Sequence, residues 1–588
     1  MTNNKPLFTD IKKQADQRWQ DLVLGDEPWI RIGTAMCGQA AGALSVLDTL
    51  RSELEVLDIN ATIHQVGCLG LCFAEPLVDV AKPGRSRLFF KNVSPEEVGD
   101  LISDYLENDL FPDNKILGYL GETPVGDAPN LANMPSMAIQ HRIALRNAGH
   151  LAPSDVLQYI ANGGYNGLNK ALFTLNPDEV VEEIKKSGLR GRGGAAFPTG
   201  LKWSFMVRSP GPPKYILANC EEGDPGAYND KGILESDPYT LLEGMTIAGY
   251  ATGATNGIVF VRHGHDGPID RTEEAIEQAR EHGLLGSNIL GSDFSFDIEV
   301  SLTGDSYVAG EETAMMESIE GGRAMPRFKP PFPAAFGVWG KPSTINNVKT
   351  YSYAPEIISR GSEWFSSIGV NKSTGTAIIC LNGNITYPGL YEVPMGLTIG
   401  QIINELGGGV PNGKKLKLLQ TGGPLGGVLG PDSMNIHLDF DEMAQAGAIL
   451  GSGGIIVADE DTCAVDMTRV LVAFCQYESC GKCFPCRLGM TQMLEFIERI
   501  ACLEGRSDDI RLCESVGQTM QAGSLCGHGQ LGYNPIKSAL QHFGDEFKIH
   551  INEKRCPTGG CQKPMLSPKN TRPFAYGAMP LEIQTGTS

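Results

Sequence analysis

Cys480, Cys483 and Cys486 stand at C-x2-C-x2-C spacing in the run Glu-Ser-Cys-Gly-Lys-Cys-Phe-Pro-Cys-Arg at 478–487, and Cys526 follows in Ser-Leu-Cys-Gly at 524–527. Three thiols from one turn and a remote fourth can supply four thiolates to a cubane iron–sulfur cluster. Zinc is the competing reading, but zinc usually takes two separated pairs rather than a triplet. Three unligated core cysteines fit poorly, because Gly481, Lys482 and Pro485 describe an exposed turn. Helical patterns at 467–474, 490–500 and 510–520 surround the set, so a small helical bundle is expected around it. A cluster needs an electron donor and an acceptor, and the rest of the chain has to supply or contact them.

The chain is long enough for about four domains at 588 residues. Fifteen cysteines with C-x2-C spacing and a polar start at 1–10 read as metal ligands in a reducing, cytoplasmic setting rather than as disulfides. A net charge of −21 argues against nucleic acid or an anionic membrane as partner. No apolar run approaches the roughly 18 residues needed to span a bilayer, so no transmembrane segment is expected. The 72 glycines recur inside ordered-looking segments and suggest loops that hug a cofactor.

Residues 1–28 read as an amphipathic N-terminal helix with Phe8, Ile11, Trp19 and Leu22 on one side. Strand, helix, two hairpin-like strands and a helix opened by Ser94-Pro95 then follow over 29–110, the βαββα order of a thioredoxin-like domain. Its loops carry Cys37, Cys68 and Cys72. The set resembles that of thioredoxin-like 2Fe–2S ferredoxin domains, C-x4-C followed by C-x3-C, but the partner position of Cys37 is Ile32, which cannot ligate iron. Either another residue is the fourth ligand, or the cluster is lost and the fold is kept for docking. Residues 111–150, with Pro112, Pro124, Pro129 and Pro135, read as a linker.

Over 151–365 five blocks stand in order. The first is the glycine loop 188–203, with Gly191, Arg192, Gly193, Gly194 and Lys202; closely spaced glycines expose backbone N–H groups to a phosphate, and Arg190, Arg192 and Lys202 add charge. By itself this loop is equally a structural turn. A buried-looking strand over 215–219 ends in Cys-Glu-Glu-Gly-Asp at 220–224, polar groups at the carboxyl end of a strand. Tyr307 to Thr313, Arg327 to Pro333 and Thr344 to Asn347 complete the set. Together these blocks resemble the family of flavin- and NADH-binding (51 kDa-type) subunits found in respiratory complex I, NAD-reducing and bifurcating hydrogenases and NAD-dependent formate dehydrogenases. The resemblance implies a Rossmann-like domain in which FMN lies against Gly191 to Gly194 and Lys202. Asn219, Glu221, Tyr307, Gly310, Glu311, Asn346 and Asn347 would meet the flavin. NADH would stack on Phe197, Phe205 and Phe332, and Glu222, Asp224, Glu312 and Lys329 would hold the rest of the dinucleotide, with Glu222 and Glu312 nearest the chemistry. The family usually carries Asp and Glu where Glu221 and Asp224 stand. An acid near the adenosine ribose favours NAD over NADP.

Residues 366–455 show a ββαβ order resembling the family's ubiquitin-like β-grasp domain, and 456–545 form the 4Fe–4S bundle, whose ligands match Cys480, Cys483, Cys486 and Cys526. In the tail, 546–588, His550, Cys556 and Cys561 join Cys463 as one imidazole and three thiolates, a tetrahedral zinc set like one in the hydrogenase-associated branch; free tail thiols are the plain alternative. The tail carries six basic and three acidic residues and several prolines, and is expected as an extended arm against a partner. The expected whole is an α/β multidomain NADH dehydrogenase (diaphorase) subunit. It would work with a thioredoxin-like 2Fe–2S subunit and a larger iron–sulfur or catalytic subunit. The alternatives are the nucleotide arm of an electron-bifurcating complex and a non-catalytic iron–sulfur docking scaffold.

Overall fold

Ser94 and Glu97 close a capping box and Pro95 occupies the first turn, which fixes the start of the helix Pro95–Asn108. This helix and Ala43–Val56 cover a five-stranded sheet: β1 (Trp29–Gly33), β2 (Thr62–Val66), β3 (Val78–Ala81), β4 (Arg87–Phe90) and β5 (Ile116–Leu120), in spatial order β2-β1-β3-β4-β5. β1 and β2 run parallel and the other pairs antiparallel. Ile30, Ile32, Val46, Leu50, Val80, Phe90 and Ile102 form the core. The computed structural model describes residues 7–561, and its two compact units are Met1–Asp459 and Glu460–Ser588.

β5 corrects the linker expected over 111–150. It is a five-residue edge strand with Gly118 at its centre, too short to show a period. The segment after it is also anchored. The fully buried Glu392 accepts the N–H groups of Ile143 (2.9 Å) and Leu145 (2.8 Å), and its carbonyl accepts that of His141 (2.9 Å).

The second sheet consists of β6 (Tyr215–Cys220), β7 (Asn256–Arg262), β8 (Asp297–Thr303) and β9 (Ser343–Asn347), all parallel in the order β8-β7-β6-β9. Its central strands are apolar because both faces are covered, as parallel sheets require. The helix Pro238–Thr252 beside it is buried along nearly its whole length.

The third sheet has its five strands in the order Gly389–Pro394, Thr376–Gly383, Gly454–Asp459, Leu416–Thr421, Val428–Leu429. Thr376–Gly383 and Gly454–Asp459 pair in parallel at its centre. The last strand carries this sheet to Asp459, past the boundary expected at 455. The helix of the ββαβ order is opened at Ile399 by a capping box of Thr398 and Gln401, then widens over Ile402–Leu406.

The unit Glu460–Ser588 is helical where described: Ala464–Tyr477, Phe484–Ala501, Asp509–Gly523, Gly527–Leu531 and Asn534–Lys548. Among the described residues no helix is long and apolar enough to cross a membrane. The arm expected beyond Cys561 lies outside the described residues.

Candidate active site and metal centres

The chain order of the parallel sheet reverses between β6 and β9, and α/β sheets bind ligands outside the carboxyl ends of strands at such a reversal. The register sets Asn219 opposite Asn347 and Ala218 opposite Asn346 at that end. Asn219 Nδ2 donates to the Gly310 carbonyl (2.8 Å), which holds the turn Tyr307–Gly310 against β6. Asn346 is turned inward, accepting from Trp203 Nε1 at 3.1 Å.

The glycine loop is closed on itself. Gly191 N–H donates to the Phe197 carbonyl (2.8 Å) and Thr199 N–H to that of Leu189 (2.9 Å). Gly194 has φ +119° and a Cβ there would meet nothing within 4 Å, whereas one at Gly193 would come within 2.9 Å of Asn347 Cβ. The loop therefore rests on the end of β9 and leaves an open cradle at Gly194, the shape a bound phosphate needs. Lys202 Nζ donates to the Ile345 carbonyl (2.6 Å) and sits 3.5 Å from Glu312. Glu312 also pairs with Lys329 (3.0 Å), and Lys329 reaches Glu311 (3.1 Å). Burial disfavours the Lys329 ammonium, but Glu312 and Glu311 outweigh it and raise its pKa. Glu311 caps the helix Glu312–Ile319 by accepting from the N–H groups of Thr313 and Ala314.

Phe197, Phe205 and Phe332 are 42%, 42% and 59% exposed, and the first two rings lie 6.4 Å apart. Core phenylalanines would be buried; exposed ones on a crevice rim are available to stack on flat bases.

Other expected residues have different work. Arg192 is buried at 4% exposure: its guanidinium donates to the carbonyls of Thr376, Arg190 and Thr374, and its N–H to Thr350 Oγ1. It braces the loop and does not supply the phosphate charge expected of it. Arg190 likewise donates to the Ala196 carbonyl and pairs with Asp441. Glu221 is paired with Arg262 (2.6 Å), and Asp224 accepts from Ser452 Oγ and the Gly226 N–H. Glu222 holds φ +37°, a strained value, and its carboxylate accepts the N–H groups of Asp230 and Lys231 at 2.8 Å each, capping the helix Asn229–Ser236. Burial, then the Asp230 charge, push Glu222 up to about 7.

The sequence did not single out Asp230 and Lys349, which form a buried ion pair (3.0 Å) under the crevice. Asn347 Nδ2 donates to the same Asp230 carboxylate. Asp230 stands in the polar helix start Asn-Asp-Lys-Gly and Lys349 in Val-Lys-Thr, so neither is set apart locally.

In the helical unit Cys483 is the N-cap of the helix Phe484–Ala501, Cys486 lies in its first turn and Cys526 precedes Gly527–Leu531. Arg487 donates to the Gly481 carbonyl (3.0 Å), pinning the turn that carries Cys480. Burial raises Cys486 to about 11, and the charges of Cys483, Cys526 and Cys480 act in the same direction, so the four thiols share one neighbourhood. Cys463, His550, Cys556 and Cys561 converge more tightly: all are buried and their ligand atoms lie within 4.8 Å of one another. Cys463 Sγ is 3.5 Å from both His550 Nε2 and Cys561 Sγ. His550 Nδ1 is bonded to the Glu546 carbonyl (2.8 Å), which leaves Nε2 for a metal. Of the Cys463–Cys561 pair Cys463 carries the thiolate, held down to about 4 by the Cys561 hydrogen bond with help from His550. Three thiolates and one imidazole at this spacing fit a tetrahedral zinc ion.

In the first unit Cys72 and Cys37 bring their sulfurs to 3.5 Å, and the Cys68 sulfur accepts the Gly70 N–H (3.1 Å). Ile32 is fully buried in the sheet core and is no part of this set.

The sequence matches the family described as the Nuo51 FMN-binding domain over residues 184–356. It also matches the SLBB domain over 378–429 and the NADH-ubiquinone oxidoreductase-F iron-sulfur binding region over 466–550. It is 45% identical to the NADP-reducing hydrogenase subunit HndC of Solidesulfovibrio fructosivorans, over 72% of this chain and 86% of the relative. It is 43% identical to the F 2 subunit of the NADH-quinone oxidoreductase of Rhizobium meliloti (strain 1021), over 71% of this chain and 99% of the relative. A crystal structure of an NAD+-reducing NiFe hydrogenase in the H2-reduced state is similar with a TM-score of 0.63 and 25% identity, over 89% of this chain and 84% of that one. The chain belongs to the Nuo51-type family of flavin- and iron–sulfur-binding oxidoreductase subunits.

Proposed function

We propose that this chain is the NADH-oxidising flavoprotein subunit of a multisubunit cytoplasmic oxidoreductase, with FMN in the crevice between β6 and β9. The observation that carries the reading is the glycine loop resting on Asn347 with an open cradle at Gly194, at the point where strand order reverses. Bound there, FMN would accept a hydride from NADH and release electrons singly to a 4Fe–4S cluster held by Cys480, Cys483, Cys486 and Cys526. The chain's own part is binding and orientation. Gly191 to Gly194 would offer N–H groups to the phosphate. Asn219, Tyr307, Gly310, Asn346 and Asn347 would frame the flavin. Phe197, Phe205 and Phe332 would stack on the bases of the dinucleotide and keep water from the reacting faces. Lys329, held between Glu311 and Glu312, is placed to meet its phosphates. Glu312 adds negative charge at the rim, which favours NADH over a 2′-phosphorylated nucleotide, and Glu222 orders the helix start beneath the nucleotide. The pairing of Glu221 with Arg262 and of Asp224 with Ser452 makes both supports of the crevice rather than direct ligands.

The N-terminal sheet is read as thioredoxin-like, supported by its parallel β1–β2 pair and two covering helices. The third sheet is read as a β-grasp, supported by first and last strands that pair in parallel at its centre. The domain limits follow the expected ones, with 116–120 joined to the first sheet and the β-grasp extended to 459. Cys37, Cys68 and Cys72 are read as ligands of a 2Fe–2S cluster. The partners are a 2Fe–2S subunit and a larger catalytic subunit of hydrogenase or formate dehydrogenase type.

A second reading, the nucleotide arm of an electron-bifurcating complex, is favoured by the tight Cys463, His550, Cys556 and Cys561 set, which the hydrogenase-associated branch shares. NADH oxidation coupled to ferredoxin in the native complex supports it, and strict absence of coupling removes it. The main reading is tested by flavin analysis and NADH-dependent dye reduction on the purified complex. One FMN per chain with rapid dye reduction supports it; a flavin-free chain that still binds its partners would make it a docking scaffold.

A further inference from the structure

The 2Fe–2S reading of the N-terminal set leaves one ligand missing, and the assignment of that ligand rests on the same reading. Ile32 faces the sheet core, so the ligand has to come from elsewhere. The Glu75 carboxylate stands beside the thiols, with Oε1 4.0 Å from Cys68 Sγ. Two ligands on one tetrahedral metal lie about 3.3–3.8 Å apart when the bonds are about 2.0–2.3 Å. Cys37 and Cys72 stand at such a distance, 3.5 Å; Cys72 is also hydrogen-bonded to Cys68, and Cys68 Sγ lies 4.0 Å from Glu75 Oε1, so the four groups form one contiguous cluster. Among the described residues the Cys463 set is the one whose ligand atoms converge tightly enough for a single ion. A contiguous set of four ligands without a single tight focus suits a binuclear rather than a mononuclear centre.

Glu75 itself is buried and, among the described residues, has no cationic side chain beside it. It is 8% exposed, and its oxygens are met by the Leu77 N–H (2.9 Å) and the Cys68 thiol. Among the described residues no lysine, arginine or histidine forms an ion pair with it. A buried carboxylate without a counter-charge is costly unless a proton or a metal ion takes that place. The backbone makes room for the carboxylate: a Cβ at Gly33 would lie 3.3 Å from both Glu75 oxygens.

The location suits an electron carrier. Met36 N–H donates to Glu235 (3.0 Å) and Cys68 N–H to Ser236 Oγ (3.2 Å), so both cysteine loops rest on the carboxyl end of the helix Asn229–Ser236. The other end of this helix holds Glu222 at the crevice. Eight residues of helix rise about 12 Å.

We propose that Glu75 is the fourth protein ligand of a binuclear iron–sulfur centre whose other ligands are Cys37, Cys68 and Cys72. The centre sits one short helix from the flavin crevice.

The test uses the native complex, purified anaerobically, with iron and sulfide analysis and EPR of the reduced protein. Cys72→Ser should lower iron and sulfide by one binuclear centre and remove the corresponding signal. Glu75→Gln should do the same. Glu75→Cys should keep the iron, shift the g values and lower the midpoint potential, because a thiolate donates more charge than a carboxylate; it also guards against a folding defect in Glu75→Gln. If Cys72→Ser loses the signal while Glu75→Gln and Glu75→Cys leave iron and spectrum unchanged, Glu75 is not a ligand. If Cys72→Ser has the same iron and spectrum as the unaltered complex, no cluster is there, and the 2Fe–2S reading fails before the Glu75 assignment is reached.

Discussion

The cysteines of the helical unit and those of the N-terminal sheet differ in how complete their ligand sets are. In the helical unit each set is complete in thiols and imidazole: Cys480, Cys483, Cys486 and Cys526 gather round two helix starts, and Cys463, His550, Cys556 and Cys561 converge within 4.8 Å. In the N-terminal sheet three thiols stand next to a carboxylate, and the position where the motif calls for a cysteine is a core isoleucine. The difference teaches that a ligand set is legible in sequence when every member is a strong metal ligand at regular spacing. It becomes illegible when a common residue such as glutamate takes one place, because only folding distinguishes Glu75 from a surface acid.

Substitutions that break the complete sets should have the largest effects. Cys483→Ser or Cys526→Ser should remove the 4Fe–4S iron and abolish electron delivery to the partner subunit, while flavin content is retained; iron analysis and partner-dependent turnover check this. Cys556→Ser, or chelation of the intact complex, should release one zinc and lower the melting temperature of the helical unit by at least about 10 °C, because a structural metal's binding energy is folding energy. An unchanged melting curve would return those thiols to the status of free cysteines.

The flavin region sharpens the same contrast on a smaller scale. Phe332→Ala should raise KM for NADH by about five- to hundredfold with kcat less affected, from the loss of about 1–3 kcal/mol of stacking. Glu222 gives the smallest effect. Its carboxyl, raised to about 7 in the folded chain from an ordinary 4.5, binds a proton more readily folded than unfolded between those values. Its contribution to stability therefore falls as pH rises through that window and is level above it. Glu222→Gln should flatten that part of a denaturation-versus-pH profile by up to one proton's slope.

The blocks at 188–203, 215–224, 307–313, 327–333 and 344–347 could be read because glycines, exposed aromatics and strand-end carboxylates announce backbone approach and ligand contact. The sequence could not tell which charged members touch a ligand. Arg192 and Lys202 look alike in a glycine loop, yet Arg192 is bonded to three carbonyls and Lys202 to one carbonyl and a carboxylate. Short strands were lost for want of period: Ile116–Leu120 at the edge of the first sheet and Val428–Leu429 in the third. The Asp230–Lys349 pair brings together residues from distant blocks and has no local signature.

Anaerobic titration of the native complex with NADH, followed by absorbance and EPR, tests the central claim most directly. The flavin and the iron–sulfur centres should both be reduced by substoichiometric NADH, with Phe332→Ala shifting the titration to higher nucleotide concentration. Flavin and clusters that stay oxidised with excess NADH, yet are reduced by dithionite, would contradict it.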